Sequence, residues 1–451
     1  MICVCVLEDS VDDECHRLLS REKESVQYNA VGRSFDQRSA KTLECNKFRD
    51  EDQNRPYEIY LTIIIDRTIL LSPRYTIITG ASFLHSQSEV AMNFFRFVQK
   101  LLLVLLTLSP GLYSQEKPAI NVHENHPPGQ GQSGYKILDT ITIGGEGGWD
   151  YLVADSEGHR VFVSHGTHVQ VVNLPTKTIA GDITPTPGVH GIAIIPRERV
   201  GYISNGRDSS VTVFDFNELQ ILDNIKIEAS NPDAILYDPF SQRVFTFNGR
   251  SSNATAIDIA TNKVLGNIPL PGKPEFAVSD YLGKIYVNIE DKSEVVEIDP
   301  KTLKVLATWP IKPGEEPSGL AIDRANRRLF SVCGNKHMIV LDADSGKVVA
   351  DLPIGDGVDA AAYDPSAHLV FSSNGEGTLT IVQQKDKDTY TVLDNLRTER
   401  GARTMALDES THRIYLSTAS FGPPPAPTPD RPNPRPSIIP GTFRLLVVGP
   451  H

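Results

Sequence analysis

The sequence predicts an all-β protein, a seven-bladed β-propeller closed by pairing an N-terminal strand with the last blade. The first observation is a repeat of 40 to 44 residues that returns to an aromatic residue in each copy: Phe162, Tyr202, Phe245, Tyr286, Phe330, Phe371 and Tyr415. The second is that each copy contains several short alternating strands and almost no helical periodicity. A period in the forties built from short strands is typical of one propeller blade per repeat.

The third observation concerns the two ends of the repeat region, residues 135–451. The seventh copy ends after its third strand, at Val448 and Gly449. Residues 136–143, KILDTITI, resemble the fourth strand of other copies, such as ILDNIKI. We expect this early segment to supply the missing strand, because that pairing closes the ring and removes two exposed sheet edges.

Within each copy, the strands have distinct compositions. The first strand is rich in small residues, including Gly191, Ala234, Gly319 and Ala360, which suits the crowded axis of a propeller. Tyr151 and Phe276 depart from this pattern. The turn after the first strand carries a repeated aspartate, which we interpret as structural because Asp at a turn accepts hydrogen bonds from its own backbone. These turn aspartates are Asp155, Asp238, Asp280, Asp323, Asp364 and Asp408.

The chain before the repeats divides into three segments. Residues 92–114 begin MNFFRFVQK and continue into the apolar run 101–108, which indicates a secretory signal peptide. That run is too short to span a bilayer, so we expect no transmembrane span in the mature chain. A signal peptide acts at the start of a chain, so we interpret residues 1–91 as an upstream extension outside the mature protein. The alternative is a real cytoplasmic extension before a membrane-proximal segment. Residues 115–134, rich in Gly, Pro, Gln and Asn, are predicted to be a flexible linker.

Composition narrows the possible functions. The formal net charge is -12, and an acidic surface repels phosphate backbones, so general nucleic-acid binding is not expected. Of the five cysteines, only Cys333 lies within the repeats, which leaves the propeller without a disulfide framework or a CxxC metal site. The GxSxG and HExxH motifs are absent from the sequence.

The second strands of three copies carry the motif Tyr/Phe-x-x-Asn, which ends at Asn205, Asn248 and Asn374. This motif resembles the YVTN repeat, and residues 135–451 resemble the YncE-like seven-bladed propellers. The resemblance implies a secreted or periplasmic monomer and a shape near that of lactonases and quinoprotein-like enzymes. Four copies depart from the motif with His165, Ile289, Cys333 and Thr418 in place of Asn.

One face of the predicted disc collects the candidate site residues. Antiparallel order places the starts of the first strands and the loops between second and third strands on this face. We call it the mouth face, and the other the turn face. The residues expected to ring the channel mouth are Asp150, His190, Asp233, Glu275, Ser318, Asp359 and Arg403.

The predicted ring of carboxylates allows two readings. Asp233, Glu275 and Asp359 are the candidate ligands for a divalent cation, because hard cations prefer oxygen donors. Alternatively, the ring is a solvated polar funnel whose charges are offset by His190 and Arg403.

Two further features of the mouth face are candidates for binding. Arg207 and Arg250 occupy equivalent loops of adjacent blades, an arrangement that suits a carboxylate or phosphate. The proline-rich loop 421–441 of the last blade is expected to shade the channel mouth or to offer a docking strip.

Two functions follow from these observations. The first is a secreted or periplasmic scaffold that binds a small-molecule or protein ligand through its charged channel face. The alternative is an enzyme, either a lactonase-like hydrolase or a quinoprotein-like oxidoreductase, with a metal or cofactor over the channel. In that case His190 or an acid would move protons.

Overall fold

The computed structural model describes residues 132–428 and 434–451 with their side chains, together with the backbone of two short paired strands, Ile64–Ile65 and Thr68–Ile69. The chain divides into two units, Met1–Tyr113 and Ser114–His451. The predicted signal peptide 92–114 and most of the predicted linker 115–134 lie outside the described residues, and so does the predicted extension 1–91 apart from those four residues.

Residues 135–451 form seven four-stranded antiparallel sheets, one per blade. In blades 1 to 6 the strands follow one another from the inner edge to the outer edge in chain order. The inner strands are Trp149–Asp155, Val189–Ile195, Pro232–Asp238, Pro274–Ser279, Pro317–Asp323, Val358–Asp364 and Met405–Asp408. The second strands are Arg160–His165, Val200–Asn205, Arg243–Asn248, Ile285–Ile289, Arg328–Cys333, Leu369–Asn374 and Arg413–Thr418.

The outer half of each blade is built in the same way. The third strands are His168–Asn173, Ser210–Asp215, Asn253–Asp258, Glu294–Asp299, His337–Asp342, Thr378–Asp386 and Arg444–Pro450. The outer strands are Thr178–Ile183, Ile221–Lys226, Lys263–Pro269, Lys304–Pro310, Val348–Pro353, Thr389–Arg397 and Tyr135–Thr142. The described part of the chain adds two 3₁₀ turns, Pro196–Glu198 and Glu290–Lys292, and contains no α-helix. It therefore offers no helix long and apolar enough to cross a bilayer.

The seventh blade joins the two ends of the propeller, which confirms the predicted closure. Its outer strand, Tyr135–Thr142, pairs with the third strand, Arg444–Pro450, with Tyr135 opposite Pro450 and Thr142 opposite Arg444. Each inner strand contacts the inner strand of the next blade, and the seventh contacts the first. The seven blades therefore form a closed ring around a central channel.

The repeated aromatic residues form part of the core between the blades. All seven are at most 1% exposed, and each belongs to an apolar cluster. Phe162 of blade 1, for example, packs with Phe214 of blade 2 at a ring-centroid distance of 5.8 Å. The period seen in the sequence thus reflects one large buried side chain per sheet, at the layer where neighbouring sheets meet.

Small residues are required where the inner strands converge. A Cβ atom on Gly191 would lie 3.0 Å from the carbonyl oxygen of Asp233 in the next blade. A Cβ atom on Gly319 would lie 2.5 Å from the backbone nitrogen of Ala361. Backbones this close leave no room for a larger side chain, which explains the composition of the inner strands.

The repeated aspartates on the turn face accept hydrogen bonds from their own turns, as predicted. The carboxylate of Asp364, for instance, accepts from the backbone N–H groups of Ser366 and Ala367, both at 3.0 Å. Five of them also bond to the following blade, counted around the ring. These pairs are Asp238 with Ser279, Asp280 with Arg327, Asp323 with Gln384, Asp364 with His412, and Asp408 with Ser156. Each such aspartate therefore shapes a turn and links two blades.

Candidate functional site

The predicted ring of polar residues lies at the start of the inner strands, and the structure joins its members in two groups. In the first, His190 of blade 2 lies between Asp150 of blade 1 and Asp233 of blade 3. Its Nδ1 is 2.6 Å from Asp150 Oδ2 and 3.5 Å from Asp233 Oδ1. Among the described residues, this is the only set of three His, Cys, Asp or Glu side chains with donor atoms all within 4.8 Å of one another. We call it the Asp-His-Asp cluster.

In the second group, a basic side chain lies against each remaining carboxyl group. Asp359 Oδ2 lies 3.0 Å from Arg403 Nη1, and its Oδ1 accepts a hydrogen bond of 3.0 Å from Ser318 Oγ. Glu275 forms an ion pair with Lys273, which also pairs with Glu290 of the adjacent loop. The predicted metal ligands Asp233, Glu275 and Asp359 therefore differ in their surroundings, because only Asp233 belongs to the Asp-His-Asp cluster.

Three acids of the ring, Asp233, Glu275 and Asp359, hold their protons more tightly than isolated carboxyl groups, because their pKa values are raised. Burial, opposed by the charge of His190 and reinforced by those of Asp150 and Asp359, raises the pKa of Asp233 to about 6. Burial and the negative charge of Asp233 raise the pKa of Glu275 to about 8. For Asp359, burial raises the pKa although Arg403 opposes the shift. The carboxylates at the mouth therefore gain from a positive charge placed among them.

The surroundings of His190 favour its charged form, whereas those of Asp233 and Glu275 favour the neutral form. Burial alone would lower its pKa, but the hydrogen bond to Asp150 and the charges of Asp233, Asp150 and Glu275 raise the pKa above its usual value. The mouth therefore favours a positive charge at the position of the His190 ring.

Tyr151 and Phe276, the exceptions among the small inner-strand residues, meet inside the channel. Their ring centroids are 5.4 Å apart although they belong to blades 1 and 4. Both are half-buried and line a cavity of about 60 Å³ between the inner strands of blades 1 to 4. Burial, together with the charges of Asp233, Asp150, Glu275 and Asp359, raises the pKa of Tyr151 well above its usual value. The aromatic pair therefore narrows the channel next to the carboxylates.

Buried polar side chains of the second strands hold the mouth residues in place. The backbone N–H of Asp150 donates to Ser164 Oγ at 2.9 Å, and that of Gly191 donates to Ser204 Oγ at 2.8 Å. The Ser204 hydroxyl donates in turn to the carbonyl oxygen of Asp233. Ser164 and Ser204 are fully buried. Hydrogen bonds with two serines thus hold the backbone that carries the Asp-His-Asp cluster in position.

The other blades repeat this support with variations. Asn288 donates to the carbonyl oxygens of Ser318 and Gly319, at 2.8 and 3.0 Å, and Ser373 donates to the carbonyl oxygen of Arg403. These supporting residues were not predicted from the sequence. Their signal is a polar residue two positions after the repeated aromatic, which is present in five of the seven copies. They are Ser164, Ser204, Asn288, Ser373 and Ser417.

Lys273, which pairs with Glu275 and Glu290, was not predicted from the sequence either. The motif Asn in Asn205, Asn248 and Asn374, by contrast, is fully buried at the end of a second strand. Asn205 Nδ2 donates to Ser210 Oγ and Thr212 Oγ1 on the third strand, at 3.0 and 2.8 Å. The motif Asn therefore stabilises the hairpin between the second and third strands.

The predicted anion-binding arginines lie in equivalent loops of blades 2 and 3. Arg207 and Arg250 are both exposed. Neither guanidinium makes a hydrogen bond or an ion pair with another residue of the described chain. Their role in anion binding stays a prediction.

The proline-rich loop begins beside the channel mouth. Phe421 and Ile438 form a β-bridge that joins its two arms, and the Phe421 ring lies 6.1 Å from that of Trp149 at the start of the first inner strand. Residues 429–433 of this loop lie outside the described chain. Its base is thus fixed on the mouth face.

Among the comparisons with known proteins, the one with solved structures supports the fold alone. The chain is similar to a solved structure described as Kuenenia stuttgartiensis hydrazine synthase. The two share 16% sequence identity at a TM-score of 0.53, and the similarity covers 60% of this chain and 92% of that one. No protein-family model and no curated protein matches the chain. At this level of identity the likeness supports a propeller scaffold and says nothing of its ligand.

Proposed function

We propose that this chain is an exported YncE-like propeller that acts as a monomeric binding scaffold in the periplasm or outside the cell, with the channel mouth as its binding surface. The Tyr/Phe-x-x-Asn motifs and the signal-like segment 92–114 support the family and the location. The ligand is a small molecule or a protein segment that brings positive charge to the mouth.

The observation that carries this proposal is the convergence of four carboxylates from different blades at one mouth: Asp150, Asp233, Glu275 and Asp359. Burial, reinforced by the repulsion between these carboxylates, raises the pKa values of Asp233 and Glu275 and so destabilises their charged forms. Groups held in an unfavourable electrostatic arrangement are typical of functional sites. A cationic ligand would relieve that repulsion and gain binding free energy from it.

The observations on the described residues favour no particular reaction, so we propose no enzymatic activity. The aromatic pair and the compensated carboxylates serve binding equally well without chemistry. The lactonase-like and quinoprotein-like alternatives stay predictions from the resemblance.

A thermal-stability screen tests the scaffold proposal. The purified protein is heated with divalent metals, small diamines, sugar acids and lactones, because a ligand that binds only the native state raises the melting temperature. The variant D150N/D233N/E275Q/D359N removes the ring charges. The control E157Q/E218Q removes two exposed charges from the turn face. We expect cations to stabilise the wild type and the control but not the ring variant. Equal stabilisation of the ring variant would contradict the proposal.

A further inference from the structure

From the geometry of the Asp-His-Asp cluster, we infer that Asp150, His190 and Asp233 bind one divalent transition-metal ion with mixed nitrogen and oxygen coordination, such as Zn²⁺. This inference rests on the proposed function, since it names the class of cation that the mouth takes. It differs from the three-carboxylate site predicted from the sequence, because Asp150 and His190 take the places of Glu275 and Asp359.

The donor distances suit such an ion. Zinc binds histidine nitrogen and carboxylate oxygen at about 2.0 to 2.2 Å, which places neighbouring tetrahedral donors roughly 3.3 to 3.5 Å apart. His190 Nδ1 already lies 3.5 Å from Asp233 Oδ1. Its contact of 2.6 Å with Asp150 Oδ2 is a hydrogen bond that an ion would replace, with a side-chain movement of roughly 1 Å.

The charges around the ring single out the same place. Glu275 and Asp359 have their own basic partners, Lys273 and Arg403. Asp150 and Asp233 share one imidazole and form no ion pair with a lysine or arginine of the described chain. A divalent ion bound by two carboxylates and a neutral imidazole gives a complex with no net charge. The cluster is therefore the part of the ring where a metal ion completes the charge balance.

One residue beside the cluster in the sequence, Tyr151, has a hydroxyl group that bonds to no other described residue. Tyr151 follows Asp150 directly in the chain, and its ring contacts that of Phe276 inside the channel. Its hydroxyl makes no hydrogen bond with another described residue. This hydroxyl is therefore available to bond to a water molecule at the mouth.

The donor set also discriminates between metals. Ca²⁺ takes six to eight oxygen ligands and Mg²⁺ prefers an octahedron of oxygens, whereas imidazole suits Zn²⁺ and its first-row neighbours. The cluster offers one nitrogen and two carboxylates, with Glu275 and Asp359 engaged elsewhere. We therefore expect Zn²⁺ to bind at least tenfold more tightly than Ca²⁺ or Mg²⁺.

Gly206 provides a test that leaves the donors intact. A Cβ atom on Gly206 would lie 2.6 Å from His190 Nε2, so Gly206→Ala should push the imidazole out of position. Gly249 occupies the same position in the next blade, where a Cβ atom would meet its nearest side chain at an ordinary 3.5 Å. Gly249→Ala is thus a matched control with the same change of composition.

The experiment titrates chelator-treated full-length protein with ZnCl₂, CaCl₂ and MgCl₂ by calorimetry. The cysteines of residues 1–91 are common to all variants, so the readout is the difference from the wild type. We expect D150N, H190Q and D233N each to lose one equivalent of Zn²⁺ or at least tenfold in affinity. Gly206→Ala should weaken binding at least threefold, and Gly249→Ala should leave it unchanged. Circular dichroism without metal checks that every variant folds.

The outcomes separate this inference from the scaffold proposal. Zn²⁺ binding that is absent in the wild type, equal in D150N and H190Q, or matched by Ca²⁺ overturns the metal site. If diamines still stabilise the wild type and not the ring variant, the scaffold proposal stands without a metal. If no cation distinguishes the wild type from the ring variant, both fail together.

Discussion

The rings of Tyr151 and Phe276 lie in contact across the channel, with centroids 5.4 Å apart and planes inclined by 42°. The two residues come from blades 1 and 4, whose inner strands are not neighbours in the ring. This contact therefore ties opposite parts of the propeller together through its axis. It also sets how much space remains beside the carboxylates at the mouth.

The first prediction concerns this aromatic pair. Tyr151→Ala and Phe276→Ala should each lower the free energy of unfolding by about 1 to 3 kcal/mol, because each ring is half-buried. The double variant should lose less than the sum, with a coupling of about 0.5 to 1.5 kcal/mol, since the rings contact each other. Urea unfolding of the four proteins measures the cycle. Phe240→Ala, at an aromatic that is 41% exposed, is the control. Strictly additive losses would show that the rings are apart in solution.

The second prediction concerns the serine beneath the Asp-His-Asp cluster. Ser204→Ala leaves the N–H of Gly191 and the carbonyl of Asp233 without their side-chain partner, which should cost about 1 to 3 kcal/mol. It should also change the NMR chemical shifts of the His190 ring. Ser372→Ala removes an equally buried serine that bonds to Asn374 Oδ1, and it should leave the His190 signals in place. Unchanged His190 shifts in both variants would mean that Ser204 does not position the cluster.

The third prediction concerns the pH dependence of stability. Glu275 has a pKa of about 8 in the folded protein and near its ordinary value when unfolded. Between these values the native state holds a proton that the unfolded state has lost, so stability falls as pH rises. Glu275→Gln should remove part of that decline. The free energy of unfolding of the variant, relative to the wild type, should be higher at pH 8 than at pH 5 by an amount on the order of 1.4 kcal/mol, the equivalent of one pKa unit.

Chemical unfolding at pH 5 and pH 8 measures this difference. Glu290→Gln is the matched control, because Glu290 shares Lys273 but lies further out, at 33% side-chain exposure. A Glu275→Gln variant that is less stable than the wild type at pH 8 would show that the ion pair with Lys273 outweighs burial.

The fourth prediction concerns the links between blades on the turn face. Asp364 is fully buried and accepts hydrogen bonds from its own turn and from His412 Nδ1 of the next blade, at 2.6 Å. Burial alone would raise its pKa, but these hydrogen bonds lower it. Its contribution to stability is therefore present above the ordinary pKa of aspartate and is lost as pH falls through the lowered value.

Asp364→Ala should consequently lower the free energy of unfolding by about 2 to 4 kcal/mol at pH 7. Asp258→Ala offers the comparison, since within the described chain the Asp258 carboxylate accepts hydrogen bonds only from Thr261 of its own exposed turn. Denaturant titration of both variants gives the difference. Equal losses would imply that the bond between blades adds nothing to the turn itself.

The fold could be predicted from local patterns that each blade repeats. Phe162 and its six counterparts mark the layer where sheets pack, and the turn aspartates mark one face. The closure could be predicted because an unpaired strand at one end and a missing strand at the other are both visible in the sequence. The repeated aromatic, the turn aspartate and the missing strand can all be recognised because every blade has the same four strands and packs in the same way.

The detailed partners at the mouth could not be predicted in the same way. The seven positions of the ring follow from register, but the choice of His190 as the shared partner of Asp150 and Asp233 depends on side-chain directions across three blades. The contact of Tyr151 with Phe276 spans 125 residues and has no local pattern. The role of Ser204 could not be predicted because its hydrogen bonds go to backbone atoms, so the sequence contains no complementary side chain that would indicate them.

The seventh blade combines a strand from the start of the propeller with three strands from its end, so it can form only when synthesis of the chain is nearly complete. Tyr135–Thr142 leaves the ribosome among the first parts of the propeller, whereas its partner Arg444–Pro450 leaves among the last. Until then the early segment has an unsatisfied edge, which is a hazard for association with other nascent chains. A chain truncated before Arg444 would keep six whole blades but would lack the strand pairing that closes the ring.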